Sequence, residues 1–159
     1  MKRETIFLKI VIVLMALPVL AICIFVVPPV SAFMGEMLPQ WPFLRWILMI
    51  ALYITAIAYF IALYQSLKLL SYIDKGIAFS ELSVKALKNI KYCALTITGI
   101  YILCLPAILY TAQADDAPGL GGLGMVITFG AFVIAVFAAV LQKLLENAIE
   151  IKSENDLTV

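Results

Sequence analysis

Residues 71–92 read SYIDKGIAFSELSVKALKNIKY and carry six of the 21 formal charges (11 basic plus 10 acidic) in a chain of 159 residues. Four long stretches contain no Asp, Glu, Lys or Arg: residues 10–35, 46–67, 92–114 and 117–142. A helix needs about 20 residues to cross the ~30 Å hydrocarbon core of a bilayer. Each stretch has at least 22. The charged segment therefore lies outside the lipid, between two membrane spans.

The overall composition also indicates a membrane protein. Hydrophobic residues make up 65% of the chain and charged residues 13%, against about 45–50% and about 25% in soluble domains. Within lipid the backbone must satisfy its own hydrogen bonds, so we expect helices. We predict an all-α fold in which residues 1–159 form one integral membrane bundle of four transmembrane helices. The predicted helices cover residues 7–28, 43–74, 81–112 and 119–152, and a short acidic tail follows at residues 153–159.

The positions of the basic residues predict the orientation of this bundle. Lysine and arginine are enriched in the loops that stay in the cytoplasm. Ten of the 11 basic residues lie before the first charge-free stretch, between the second and third, or after the fourth. Arg45 is the one basic residue in the other two connections. We therefore expect a multi-pass protein of the inner membrane, with both termini and residues 71–92 on the cytoplasmic side.

Residues 76–80 predict the turn between the second and third helices. Gly76 is a favourable residue at a helix C-terminus. Ser80 is a favourable N-cap for the next helix. Phe79 and Val84 have the spacing of a hydrophobic staple, in which two apolar side chains pack across a helix start.

Pro18 and Pro106 lie inside the first and third predicted helices. Each removes the hydrogen bond to the carbonyl four residues earlier, so we expect a kink at both positions. Two kinks could create a hinge or a polar pocket, or they could simply fit the shape of the bundle. The sequence leaves these alternatives open.

Several kinds of chemistry are not supported by the residues present. The chain has no histidine, and its three cysteines fit no zinc-binding spacing. No carboxylate lies in a charge-free stretch, although intramembrane ionisable groups usually mark ion coupling. The net charge of +1 gives no indication of direct nucleic-acid binding. We predict no catalytic residue, no metal site and no cofactor, and we do not expect an enzyme.

Two charge clusters are candidate partner-binding residues. They are the lysine arc, Lys85, Lys88 and Lys91, and the acid row, Glu146, Glu150 and Glu154. Leu82, Ala86, Leu87 and Ile90 form an apolar arc beside the lysines. Glutamates four residues apart disfavour an isolated helix, so a basic neighbour would stabilise the acid row. One interpretation is that the lysines only anchor the protein and contact anionic lipid, at roughly 1 kcal/mol each. The other is that the lysines and the apolar arc together form a docking surface for a cytoplasmic partner or for the protein's own tail.

The segment IDKGIAFSELSVKALKNIKYCA, residues 73–94, resembles the central signature of a family of small bacterial membrane proteins, domain-of-unknown-function family 2975. Gly76, Phe79 and Ser80 match its Gly-x-x-Phe-Ser turn, and EIKSENDLTV at residues 150–159 is similar to its acidic ending. The resemblance implies a bundle of four membrane helices. It also implies a partner, because such proteins are often encoded beside a small helix-turn-helix regulator.

These observations favour a non-enzymatic membrane protein that acts as a sensor or regulatory partner. Its cytoplasmic segment and tail would contact a cytoplasmic protein such as a helix-turn-helix regulator, and its helices would contact the lipid bilayer. One alternative is an immunity or stress-resistance protein that binds a membrane-active peptide through its outer loop, at residues 34–41. The other alternative is a small uncoupled channel or transporter.

Overall fold

The computed structural model describes residues 2–25, 28–29, 32–33, 36, 40, 43–114 and 118–158. Four long helices make up most of this part of the chain: α1 (Lys2–Phe25), α2 (Leu44–Asp74), α3 (Glu81–Ala114) and α4 (Pro118–Thr158). Each is long and apolar enough to cross a membrane. The described ranges contain no strand. The predicted all-α bundle of four membrane helices is therefore confirmed.

The fourth helix is longer than the sequence suggested. We placed its end near residue 152 and expected a separate tail, but α4 continues to Thr158. No glycine or proline follows Gly130 to end the helix. With 41 residues, α4 is about 60 Å long, twice the ~30 Å thickness of the hydrocarbon core. Its C-terminal part therefore lies outside the lipid.

Helices that follow each other in the chain also pack against each other in space. α1 contacts α2, α2 contacts α3 and α3 contacts α4, while the described residues show no approach of α1 to α4. Successive helices are antiparallel, so both ends of the described chain lie at the same end of the bundle as the α2–α3 turn. All lysines are located toward this end, which we call the basic end.

Small side chains form the interfaces between the helices. Ala94, Ala131 and Ala135 are buried, whereas large apolar side chains such as Phe137 are mostly exposed on the outside. A Cβ atom added at Gly124 would lie only 3.3 Å from a side-chain carbon of Ile108. Lipid tails are as apolar as the helix surfaces, so close packing of small residues holds membrane helices together.

Polar contacts among the described residues help to join α1 to α2. They include the ion pair between Lys9 and Asp74 (3.0 Å) and the hydrogen bonds that Tyr53 and Tyr59 donate to the backbone carbonyls of Cys23 (3.1 Å) and Met15 (3.0 Å). Thr5 is the one buried residue in the described part of α1. Since α1 buries so little surface, these polar contacts make a large share of its attachment.

The turn between α2 and α3 begins with a Schellman motif. The amide of Gly76 donates to the carbonyl of Ile73 (3.1 Å), and the amide of Ile77 donates to the carbonyl of Tyr72 (2.9 Å). Gly76 has a φ of +75°, in the left-handed region that glycine adopts without strain. The predicted C-terminal cap at Gly76 is confirmed.

The start of α3 differs in detail from the prediction. Ser80 occupies the N-cap position, because its carbonyl accepts the amide of Val84 (3.2 Å). Its hydroxyl, however, donates to the carbonyl of Ile77 (2.7 Å) and so closes the turn. Phe79 remains 57% exposed whereas Val84 is buried. Phe79 therefore does not bury its ring as a hydrophobic staple requires.

Substitution of Gly76 tests the turn. We expect Gly76→Ala to lower the free energy of unfolding by about 1–2 kcal/mol, because alanine is strained at positive φ. The matched control is Gly99→Ala inside α3, where an added Cβ meets nothing within 4 Å. The control should be neutral or slightly stabilising. Unfolding in mixed micelles, followed by circular dichroism, measures both variants, and equal effects would contradict the assignment.

A double-mutant cycle tests the ion pair between α1 and α2. We expect Lys9→Gln and Asp74→Asn to be coupled by about 0.5–1 kcal/mol in unfolding free energy, since both side chains are only partly exposed. Lys143→Gln combined with Asp74→Asn serves as the control and should be additive. Additive effects for the Lys9 pair as well would show that the contact does not hold α1.

Candidate functional site

Aromatic and basic side chains mark the level at which α2 and α3 leave the lipid. The Lys68 ammonium lies 5.0 Å from the centre of the Tyr64 ring. The Lys91 ammonium lies 4.9 Å from the centre of the Tyr92 ring, and the Lys88 ammonium lies 5.9 Å from it. Both tyrosine rings are more than half exposed. Tyrosine and long basic side chains favour the membrane–water interface. This geometry favours the anchoring interpretation for Lys88 and Lys91.

The apolar arc on α3 is not available to a partner. Ala86 and Leu87 are only 2% and 7% exposed, and Ile90 is partly buried. Leu82 alone is half exposed. α2 and α4 both pack against α3 in the described structure, so most of this arc is covered within the chain and does not offer a docking surface to another protein. Its docking of the protein's own tail stays a prediction.

The lysine arc and the acid row lie at the same end of the bundle but do not form ion pairs in the described structure. Lys85 and Lys88 are exposed, and so are all three glutamates of the acid row. Glu146 instead accepts a hydrogen bond from the side-chain amide of Gln142 on its own helix (3.1 Å). The expected stabilisation of the acid row by a basic neighbour is therefore not seen among the residues that the structure describes.

The register of α3 and α4 explains this separation. Gly124 on α4 faces Leu105 and Ile108 on α3. Counting along the antiparallel helices at 1.5 Å per residue, Glu150 lies level with about residue 80. Glu150 and Glu154 therefore lie farther from the lipid than the lysine arc, beyond the first residue of α3, whereas Glu146 lies about level with Lys85.

The last part of α4, residues 143–158, is mostly exposed where the structure describes its side chains, and we call it the α4 extension. Ile151 is 60% exposed and Leu157 is 84% exposed. From about residue 150 onward the extension has passed the start of α3, its one neighbour among the described helices. An amphipathic helix with exposed apolar and acidic side chains is a common form of protein-binding element.

Exposed apolar residues also occur at the tip of the α2–α3 turn. Ile77 is 39% exposed, Phe79 57% and Leu82 50%. By the same register, this tip lies level with the α4 extension. Sequence reasoning missed this patch because it assigned Phe79 to a staple. The signal that could have revealed it was the spacing of three large apolar residues around a polar turn.

The prolines and cysteines lie within the helices. Pro18 and Pro106 are internal to α1 and α3, which continue through them, and the kinks remain predictions. The hydrogen bond from Tyr59 reaches the carbonyl of Met15, three residues before Pro18. The three cysteines are free thiols. No group of three potential ligands among the described residues is arranged to hold a metal ion.

Comparisons with known proteins place the chain in a family. Residues 29–159 match the family "Protein of unknown function (DUF2975)". A relative in Bacillus subtilis (strain 168), named "Uncharacterized membrane protein YoaS", is 57% identical over 158 residues, and the match covers 99% of each protein. No solved structure matches the chain. The resemblance of the turn segment is thereby confirmed: this chain is a membrane protein and belongs to the DUF2975 family.

Proposed function

We propose that the protein is a non-enzymatic regulatory membrane protein that binds a cytoplasmic partner through the α4 extension. The observation that supports this most directly is the acid row, which is exposed and has no basic partner within the described chain. The strong bias of lysines toward the basic end supports a cytoplasmic location for this surface.

The arrangement of side chains on the α4 extension fits protein recognition. At 100° per residue, Glu146, Glu150, Glu154, Ile151 and Leu157 lie within about 140° of the helix circumference. One face therefore combines three carboxylates with two exposed apolar side chains. A partner with a basic rim and an apolar pocket would relieve the repulsion between the glutamates and cover the apolar residues.

A helix-turn-helix regulator would supply the basic surface that this description requires. Proteins that bind DNA present basic surfaces that neutralise phosphates. The resemblance to the family implies that such a regulator is encoded nearby. An acidic helix bound to the basic surface of the regulator would compete with DNA for it. In this proposal the membrane protein holds the regulator at the bilayer and releases it when the bundle receives a signal.

The described residues favour neither alternative function. Met34, Met37 and Trp41, which belong to the outer loop of the peptide-binding alternative, lie outside the described residues. No charged side chain lies in the charge-free stretches of α1 to α4 to support an ion path. The regulatory proposal remains the one that a specific arrangement of residues supports.

Neutralising the acid row tests the proposal. The triple variant Glu146→Gln, Glu150→Gln and Glu154→Gln should retain about tenfold less of the neighbouring helix-turn-helix regulator in co-purification from membranes, as expected for losing about 1.4 kcal/mol from three exposed charge pairs. The loss should not result from unfolding, because removing like charges stabilises a helix.

The matched control is Lys152→Gln, which changes the charge of the same helix on the side away from the acid row. We expect the control to retain the regulator as the unmodified protein does. High salt should weaken the wild-type interaction. Equal retention by the triple variant, or no co-purification of the regulator with the intact protein, would contradict the proposal.

A further inference from the structure

A cavity of about 430 Å³ lies between the four helices, and all its lining residues except Ile90 belong to the charge-free stretches. Met15 of α1 borders it on one side, and Gly130 and Ile134 of α4 border it on the other. Residues of α2 and α3, including Tyr59 and Ala94, line the rest. Its volume falls in the range of small-molecule sites, which often lie between the helices of bundles.

The lining of the cavity is apolar except for two hydroxyl groups. Tyr59 donates to the carbonyl of Met15 (3.0 Å), and Ser66 donates to the carbonyl of Ala62 (2.9 Å). Both hydroxyl donors are therefore engaged with the backbone, and no charged side chain lines the cavity. An ordered water needs two to four polar partners, which this lining does not supply. The chemistry of the cavity therefore favours a hydrocarbon occupant.

The position of the cavity indicates where such an occupant comes from. α1 and α4 border the cavity but do not contact each other in the described structure, so no helix packing closes it between them. Ser66 and Ile90 at one end lie next to Lys68 and Lys91, at the membrane boundary. On α4 the lining extends over eight residues, from Ile134 to Ile127, a rise of about 10 Å through the middle of the charge-free stretch. A hydrocarbon chain that occupies the cavity along this path runs parallel to the acyl chains of the bilayer lipids.

We propose that the cavity binds one acyl chain of a phospholipid from the leaflet at the basic end, with the head group remaining at the bilayer surface. Phospholipids are the molecules that surround the opening between α1 and α4 at this depth. Since no lining residue is charged, the head group has no partner inside the cavity and stays at the interface. The inference goes beyond the proposed regulator, because binding requires only the full-length chain and a bilayer.

Photo-crosslinking tests the proposal. The full-length protein is reconstituted in nanodiscs that contain a phosphatidylglycerol with a diazirine in the middle of one acyl chain, and labelled residues are identified by mass spectrometry. We expect labels on the cavity residues that are least exposed to the surrounding lipid, such as Ala94, Ile97 and Ala131. Labels confined to the outward faces of the helices would overturn the proposal, and this comparison needs no variant.

A matched pair of variants adds a second readout. A Cβ at Gly130 or at Gly99 meets nothing within 4 Å, so both helices accept a side chain there. Gly130 lines the cavity, whereas Gly99 lies on an exposed face of α3. Gly130→Leu should reduce cavity labelling about tenfold by filling the space. Gly99→Leu should leave it unchanged, and equal labelling of the two variants would contradict the assignment.

A diazirine-bearing free fatty acid in the same nanodiscs tests whether the acyl chain in the cavity comes from a phospholipid. We expect the phospholipid to label the cavity at least as strongly as the fatty acid at equal concentration. Labelling by the fatty acid alone would overturn the assignment to a phospholipid.

Discussion

The exclusion of charge and of unpaired backbone groups from hydrocarbon determines most of this structure. It sets the length and position of the four spans, and it requires that buried hydroxyls find partners locally. Thr98 and Thr128, for example, are buried and donate to the carbonyls of Ala94 and Gly124 in their own helices (both 2.8 Å). Helix association then depends on small side chains and a few polar contacts. The charged side chains that could recognise other proteins therefore lie at the ends of the helices.

The order of packing gives the two outer helices different roles. Among the described helices α1 contacts α2 alone, buries little, and is attached in part by an ion pair and two tyrosine hydrogen bonds. In the same set α4 contacts α3 alone, yet it borders the membrane cavity at Gly130 and Ile134 and bears the acid row beyond the lipid. A single continuous helix thus links the proposed lipid site to the proposed partner surface. A change in α4 position caused by an occupant of the cavity would move the acid row as well.

The elements that the sequence predicted well depend on strong, local signals. Charge-free stretches located the spans, and Gly76 predicted the end of α2 because few other residues accept positive φ. The end of α4 was misplaced because residues 153–158 are polar, and polarity does not end a helix that lacks glycine or proline. The lysine arc and acid row were placed at the same end correctly, but their separation depends on the register of α3 and α4. The burial of Ala86 and Leu87 and the existence of the cavity depend on how far neighbouring helices extend, which no local pattern encodes.

The orientation of the basic end is the central claim, because a regulator can reach the acid row only from the cytoplasm. Cysteine labelling in intact bacterial cells tests it directly, with Ser153→Cys on the α4 extension and Glu36→Cys before α2, against the background of the three native thiols. A membrane-impermeant maleimide should label Glu36→Cys in intact cells and Ser153→Cys only after the cells are permeabilised. Labelling of Ser153→Cys in intact cells would place the acid row outside and contradict the regulatory proposal.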